Sequence, residues 1–214
     1  MLKPVLITGA SSGIGEATAV HLAHKGFRVY AGARRLEKLK LLEGLGQEAI
    51  TAVELDVTDE RSIARALERI AEDGAPLYGL VNNAGVAVTG PVEEVALDEW
   101  RREFETNVFG LLAVTKAVMP QMRAAGAGRI VNVGSLSGRV VAPFMGAYAA
   151  SKHAVEAISD AMRREFSLVG VKVSLIRPGF INTTFGEQEQ HGLEPFMEAG
   201  RPYADAVAAF KAWH

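Results

Sequence analysis

The sequence contains no cysteine, which excludes disulfide bonds, thiolate nucleophiles and cysteine-ligated zinc or iron–sulfur sites. It also lacks an excess of one charge, because 23 Lys and Arg residues stand against 25 Asp and Glu residues. A basic nucleic-acid-binding surface is therefore not expected. No run of about 18 or more apolar residues is present, so no membrane span is predicted. The five histidines show no metal-ligand spacing, so no metal site is predicted.

The composition is that of an ordinary globular protein. The 214 residues are 49% hydrophobic and 22% charged, which suits one compact domain over residues 1–214. Met1 and the next two residues lead directly into a strand-like segment, so we expect no signal peptide and a cytoplasmic protein.

Short apolar runs alternate along the chain with longer segments of helical pattern. The predicted strands contain residues 5–7, 29–31, 52–55, 77–81, 130–133 and 171–176. The predicted helices cover residues 14–25, 36–42, 60–72, 98–124 and 147–169. Because parallel neighbours need a crossover connection, the alternation predicts an α/β fold with a doubly wound, Rossmann-type parallel sheet and helices on both faces. Weak periodicity predicts a substrate loop over about 177–200, and an Ala-rich stretch predicts a last helix over 203–213.

A glycine-rich turn joins the first predicted strand to the first helix. Its sequence is Thr8-Gly9-Ala10-Ser11-Ser12-Gly13-Ile14-Gly15. Glycines permit a sharp turn and close ligand approach, and the N–H groups at a helix N-terminus bind pyrophosphate. At a strand–helix junction this pattern predicts a dinucleotide site made by Gly9, Ser11, Ser12, Gly13, Ile14 and Gly15. The alternative is an ordinary glycine-rich turn that binds nothing.

The end of the second predicted strand indicates which coenzyme binds. At this place an acidic residue would accept a hydrogen bond from the ribose of NAD, whereas arginine would bind the 2′-phosphate of NADP. The strand ends at Gly32-Ala33-Arg34-Arg35, without Asp or Glu. A guanidinium binds phosphate through paired charge-assisted hydrogen bonds, so Arg34 favours NADP over NAD. Alternatively an arginine, Arg35 more readily than Arg34, only begins a solvated helix.

Four polar residues supply candidate chemistry. Tyr148 and Lys152 are four residues apart in a predicted helix, so their side chains share one face. A nearby ammonium favours the phenolate and lowers the pKa of tyrosine from about 10, which would make Tyr148 a usable acid and base. Ser135 follows the fifth predicted strand, at the sheet edge where ligands bind in such folds. Asn107 lies in the preceding helix, where its alternative role is a kink or a polar anchor.

In combination and order these motifs resemble the single-domain branch of the short-chain dehydrogenase/reductase family. The resemblance covers residues 8–184 and rests on TGASSGIG (8–15), NNAG (82–85), Asn107, Ser135, YAASK (148–152) and Pro178-Gly179. It implies that Tyr148 is the catalytic acid/base, that Lys152 tunes it and holds the nicotinamide ribose, and that Ser135 polarises the substrate carbonyl. Asn107 would hold a water in a proton relay to Lys152.

The resemblance also implies further coenzyme contacts. Asp56 and Val57 would hold the adenine edge, and Asn83, Ala84 and Gly85 would line the coenzyme. Residues 178–183 would wrap the nicotinamide, with Pro178, Gly179, Ile181 and Thr183 among its contacts. Asn82 and Asn83 have an alternative role in tying strand ends together. Asp56 could instead cap a helix, although Thr58 and Asp59 are better placed. The glycine-rich seventh strand that the family usually has is not visible in this sequence.

The expected activity is NADP-dependent hydride transfer between a secondary alcohol and a ketone or aldehyde. The segments around the site look most similar to those of steroid and retinol dehydrogenases. A small hydrophobic substrate is therefore expected, in a pocket of Val86, Val88, Leu136, Phe144, Met145, Phe180 and Phe185. The long helices that hold Asn107 and Tyr148 look similar to the family's dimer surface, so a homodimer or homotetramer is expected. Leu111, Val114 and Val118 fit such a surface, but they could instead only cover the sheet.

Two other functions compete with this expectation. A noncatalytic NADP-binding sensor or scaffold would keep the glycine turn but would have no need for Ser135, Tyr148 and Lys152 together. A sugar-nucleotide epimerase would need a larger substrate domain than the residues after Ile176 provide.

Overall fold

Six strands form one parallel sheet in the computed structural model, which describes residues 2–44, 48–74, 76–181 and 183–213. The strands are β1 (Lys3–Thr8), β2 (Phe27–Ala33), β3 (Ile50–Glu54), β4 (Gly79–Asn82), β5 (Gly128–Val133) and β6 (Val171–Ile176). Their order is β3-β2-β1-β4-β5-β6, and all neighbours are parallel. The predicted doubly wound α/β fold is confirmed.

Eight α-helices within the described residues surround the sheet. They are α1 (Gly13–His24), α2 (Leu36–Glu43), α3 (Glu60–Ala71), α4 (Leu97–Phe104), α5 (Leu111–Ala124), α6 (Gly146–Ser167), α7 (Thr184–Leu193) and α8 (Ala204–Trp213). The helix predicted over 98–124 is divided into α4 and α5 by a π-helical turn, Glu105–Gly110. Such turns are frequent at functional sites, and this one contains Asn107.

The segment predicted as a substrate loop is largely helical. Helix α7 and a 3₁₀ turn, Glu194–Met197, occupy most of residues 177–200. The hydrophobic periodicity of the sequence did not indicate this helix, because α7 has many polar residues and only a few apolar ones. Its end is nevertheless tied to the body of the protein, since Leu193 is buried and Thr89 Oγ1 donates a hydrogen bond to the Glu189 carbonyl at 2.9 Å.

Apolar side chains fill both faces of the sheet. On one face, Leu6, Tyr30 and Leu80 pack under α3, α5 and α6, while on the other Ile7 and Val29 pack under α1 and α2. The core on the first face also contains Leu111, Val114 and Val118. These last three residues therefore cover the sheet, and the expectation that they form a dimer surface was wrong. Their side chains face inward because they bury the apolar side chains of β4 and β5 on that face of the sheet, such as Leu80 and Ile130.

The sheet topology places a crevice at the carboxyl ends of β1 and β4. The chain runs outward from β1 to β3, then returns to β4 and runs outward the other way to β6. The loops that follow β1 and β4 therefore diverge, which leaves the usual ligand site of open α/β sheets. Among the described residues, no helix combines the length and the apolar character that crossing a membrane requires.

Candidate active site

The turn after β1 is locked to the segment after β4. Gly9 has φ +66°, and a Cβ there would come within 2.8 Å of the Ala84 Cα. Thr8 Oγ1 accepts hydrogen bonds from the backbone N–H groups of Asn83 and Ala84, both at 3.0 Å. In return Asn83 Nδ2 donates to the carbonyls of Thr8 at 3.0 Å and Gly9 at 3.1 Å. The Asn83 side chain therefore has the structural role considered as its alternative.

The N-terminus of α1 opens into the crevice. Ser12 is the N-cap residue, and within the described chain its side chain makes no capping hydrogen bond. The first N–H groups of the helix, which have no intrahelical partner, are therefore left for a ligand. Gly13 has φ +55°, and a Cβ there would lie 3.3 Å from the Thr183 side chain. Glycine keeps this narrow entrance open, as a pyrophosphate cradle requires.

A cavity of about 980 Å³ extends from this turn along the carboxyl ends of the strands. It is lined by nearly all predicted site residues: Gly9, Ser11, Ser12, Gly13, Ile14, Arg34, Asp56, Val57, Asn83, Ala84, Gly85, Ser135, Tyr148, Lys152, Pro178, Gly179, Ile181 and Thr183. Gly15 and Asn107 lie behind the wall instead. Gly15 is needed there for space, because a Cβ would collide with the Gly9 carbonyl and the Asn83 amide. Asn182, within the predicted 178–183 segment, lies outside the described residues.

One end of the cavity carries the features predicted for the adenosine half of a dinucleotide. Arg34 and Arg35 are exposed there, and neither guanidinium has an ion-pair partner in the described part of the chain. Asp56 Oδ1 accepts hydrogen bonds from Thr58 N at 2.9 Å and Thr58 Oγ1 at 2.7 Å, which holds the loop in shape. Asp59 caps α3, as its position predicted. These residues fit a phosphorylated ribose and an adenine.

Ser135, Tyr148 and Lys152 meet at the other end of the cavity. All three are buried, with exposed fractions of 9%, 7% and 6%. Ser135 begins a 3₁₀ turn after β5, where its Oγ accepts a hydrogen bond from Ser137 N at 3.0 Å. Lys152 Nζ donates to the Val133 carbonyl at 3.0 Å and lies 5.6 Å from the centroid of the Tyr148 ring. The helical spacing thus brings phenol and amine together, as predicted.

The electrostatics of this trio differ from the expectation. Burial raises the pKa of Tyr148 above its ordinary value, and the carboxylates of Glu189 and Glu103 raise it further, whereas a hydrogen bond with Ser135 lowers it. Burial also lowers the pKa of Lys152 to about 8, against the attraction of Glu103. The pKa of Tyr148 is therefore raised where a lowering was expected, and Lys152 is not among the groups that shift it. This direction of the pKa shift favours the protonated phenol.

A buried hydrogen-bond network lies behind Lys152. Asn107 Oδ1 accepts from Val86 N at 2.8 Å, and its Nδ2 lies 3.0 Å from both Glu103 Oε1 and Ser151 Oγ. Glu103 Oε2 also accepts from Val88 N at 2.8 Å. Glu103 is fully buried, and this desolvation raises its pKa to about 7. The Asn107 side chain therefore acts as a polar anchor at a helix irregularity, and its predicted water contact stays a prediction.

Several residues of the site could not be predicted from the sequence. Glu103 sits in a run of charged residues, Arg101-Arg102-Glu103, that is typical of a solvated face. Its only signal is its spacing of four from Asn107, which puts both on one helix face. Glu189 and Phe210 come from α7 and α8, whose approach to the cavity no local pattern reveals.

The apolar wall agrees in part with the prediction. Val86, Leu136, Met145, Phe180 and Phe185 line the cavity. The two other predicted residues do not: Val88 is buried beside Glu103, and Phe144 packs edge-to-face on Phe210 at 5.5 Å.

Known proteins resemble the chain in sequence and in structure. It is 42% identical to the uncharacterised oxidoreductase YbbO of Escherichia coli over 186 residues, which is 86% of this chain and 68% of that protein. ElxO with NADP bound superposes with a TM-score of 0.83 at 28% identity, over 98% of this chain and 90% of that one. A 3-ketoacyl-(acyl-carrier-protein) reductase from Brucella melitensis complexed with NADH superposes with a TM-score of 0.85 at 27% identity, over 97% of this chain and 88% of that one.

The sequence profile of the short chain dehydrogenase family matches residues 3–194. The match includes the glycine turn, the trio of Ser135, Tyr148 and Lys152, and all of α7. The chain therefore belongs to the short chain dehydrogenase family and is an NAD(P)-dependent dehydrogenase or reductase that acts on CH–OH groups.

Proposed function

We propose that the protein is an NADP-dependent oxidoreductase that interconverts a hydrophobic secondary alcohol and the corresponding carbonyl compound, with Tyr148 as the acid/base. The observation that carries the proposal is the joint placement of Ser135, Tyr148 and Lys152 at one end of a cavity whose other end is a glycine cradle. A noncatalytic sensor or scaffold would need only the cradle. We further propose that residues 1–214 act as one domain.

The coenzyme choice rests on the charge at the end of β2. Among the described residues the guanidinium groups of Arg34 and Arg35 have no ion-pair partner, and no Asp or Glu stands at the end of β2, where it would favour NAD. The N-terminus of α1 would hold the pyrophosphate, and Asp56 with Val57 the adenine. Bound there, the coenzyme supplies or accepts the hydride. ElxO with NADP bound supports this choice, although the Brucella melitensis reductase holds NADH.

The polar trio handles the proton at the substrate oxygen. A pKa raised by burial keeps Tyr148 protonated, so the phenol donates to a carbonyl oxygen during reduction. Ser135 stabilises the charge that develops on that oxygen. Lys152, fixed by the Val133 carbonyl, holds the ribose side of the site. The apolar wall, including Leu136 and Met145, favours a hydrophobic substrate.

The replacement of Tyr148 by Phe tests this function. The Tyr148→Phe variant should lose turnover of a panel of ketones by about 10²–10⁴-fold, because the proton donor is gone. It should still bind NADPH, measured by coenzyme fluorescence. Tyr78→Phe removes a phenol outside the cavity and serves as the matched control. Full activity in Tyr148→Phe would refute the assigned role, and wild-type NADPH binding without any turnover would favour the sensor.

Assembly as a homodimer or homotetramer and location in the cytoplasm stay predictions. The inward packing of Leu111, Val114 and Val118 removes one support for the assembly, and the likeness of the long helices to the family's dimer surface remains. Light scattering of the purified protein tests the first, and fractionation of cells tests the second.

A further inference from the structure

A carboxylate enters the cavity from α7 at the substrate end. Glu189 lines the cavity together with Phe185 and Leu193, which lie one helical turn to either side of it. The Phe185 ring packs on Tyr148, with 5.8 Å between ring centroids. The charge of Glu189 acts on the Tyr148 phenol, so the two groups are close enough to interact. Glu189 therefore belongs to the part of the cavity where a substrate must sit.

This carboxylate has no counterion within the described ranges. The cations that line the cavity are engaged elsewhere or lie at its far end: Lys211 pairs with Glu194 at 2.8 Å, and Arg102 with Glu99 at 2.6 Å. Lys152 donates to the Val133 carbonyl. Burial alone raises the pKa of Glu189 to about 7, without an opposing contribution from a positive group.

The surroundings of Glu189 disfavour the charged form of its carboxylate, because part of its hydration is lost. Desolvating a carboxylate costs free energy that a paired cation or hydrogen-bond donors recover. Here the carboxylate also raises the pKa of the phenol beside it. The backbone of Glu189 is held in place by a hydrogen bond from Thr89 Oγ1 to its carbonyl, and the residue lines the cavity. Apolar neighbours such as Phe185 and Leu193 offer it no hydrogen bond.

We propose that Glu189 is a specificity-determining residue that binds a protonated amine of the substrate, so that the preferred substrates are apolar amino alcohols and amino ketones. The inference rests on the proposed oxidoreductase function. A bound ammonium would complete the charge pair, and it would also lower the pKa of Tyr148 by offsetting the neighbouring carboxylate. The apolar wall would take the hydrocarbon part of the same molecule.

A matched pair of alcohols tests the proposal. We would compare kcat/KM for 1-aminooctan-2-ol and octan-2-ol with NADP⁺ at about pH 8, where Glu189 and the amine are both charged. In this oxidation the carbinol carbon loses a hydride to NADP⁺ and the hydroxyl loses its proton through Tyr148, so that one amino ketone, one NADPH and one proton result. A charge-assisted hydrogen bond predicts a preference for the amine of at least about tenfold in the wild type.

Two variants test whether the preference for the amino alcohol depends on the carboxylate of Glu189. Glu189→Gln keeps the side-chain size and should reduce the preference to within about threefold, because the amide carries no charge. Glu198→Gln removes an exposed carboxylate just after the adjoining 3₁₀ turn that does not line the cavity, and should keep the tenfold preference. Thermal melting of both variants verifies that they are folded.

The outcomes separate this inference from the proposed function. Oxidation of octan-2-ol with equal kcat/KM for both alcohols, or an equal preference in wild type and Glu189→Gln, would overturn the role of Glu189 and leave the oxidoreductase function standing. If neither alcohol reacts, binding of octylamine to the wild type and to Glu189→Gln, measured by calorimetry, decides. At least about tenfold weaker binding to the variant supports the amine site, and equal binding overturns it.

Discussion

The buried carboxylate of Glu103 should make the stability of the folded protein depend on pH. In the unfolded chain this group loses its proton near its ordinary pKa of 4.5, but in the folded protein burial raises the pKa to about 7. Between these values the folded state binds more protons than the unfolded state, so a rise in pH favours unfolding. A difference of about 2.5 pKa units corresponds to roughly 3 kcal/mol of unfolding free energy lost across this interval.

The contacts of Glu103 explain why the loss of unfolding free energy with rising pH is not larger. Val88 N–H, Ser151 Oγ and Asn107 Nδ2 all offer hydrogen bonds to the two carboxylate oxygens, and they lower the cost of ionisation. The charge of Lys152 acts in the same direction. Desolvation still outweighs them, because Glu103 has no exposed surface.

Urea denaturation of the wild type and of Glu103→Gln at a series of pH values between about 4.5 and 8 measures the effect. The wild type should lose roughly 3 kcal/mol more than the variant over this interval, because the glutamine does not titrate. Glu105→Gln removes an exposed carboxylate close by in the chain and should follow the wild-type profile. If the unfolding free energies of the wild type and of Glu103→Gln change with pH by the same amount, the titration of Glu103 is not the cause.

Two further changes test the coenzyme end of the cavity. Arg34→Ala should weaken NADPH binding at least about tenfold more than NADH binding, because the 2′-phosphate loses a charge-assisted partner, and an unchanged ratio of the two dissociation constants would contradict the NADP preference. Thr8→Val should lower the unfolding free energy by about 1–3 kcal/mol, since the N–H groups of Asn83 and Ala84 lose their acceptor. Thr8→Ser keeps the hydroxyl, so its unfolding free energy, measured by urea denaturation, should be close to that of the wild type. Equal losses of unfolding free energy in Thr8→Val and Thr8→Ser would exclude the hydrogen bonds as the cause.

The alternation of short apolar runs with amphipathic segments was enough to predict the sheet. Strands covered on both faces are nearly continuous apolar runs, so Val5-Leu6-Ile7 and the other strands could be recognised without the structure. The glycine turn, Arg34 and the pair of Tyr148 and Lys152 could also be recognised, because each depends on spacing within one element. Such local information is contained in the chain itself.

Tertiary packing decided what those local patterns left open. Leu111, Val114 and Val118 would suit a partner surface or the sheet equally well, and only the position of α5 over β4 and β5 shows which they cover. The pKa of Tyr148 depends on burial and on Glu103 and Glu189, which are 45 and 41 residues away along the chain, and no spacing rule connects them.

The sequence by itself therefore determined the fold, the glycine turn and the polar trio, since these follow from short-range periodicity and from motifs inside single elements. The environment of the trio came only from the tertiary structure. Desolvation and long-range charge depend on which side chains fold together, as the burial of Glu103 and the approach of α7 with Glu189 demonstrate.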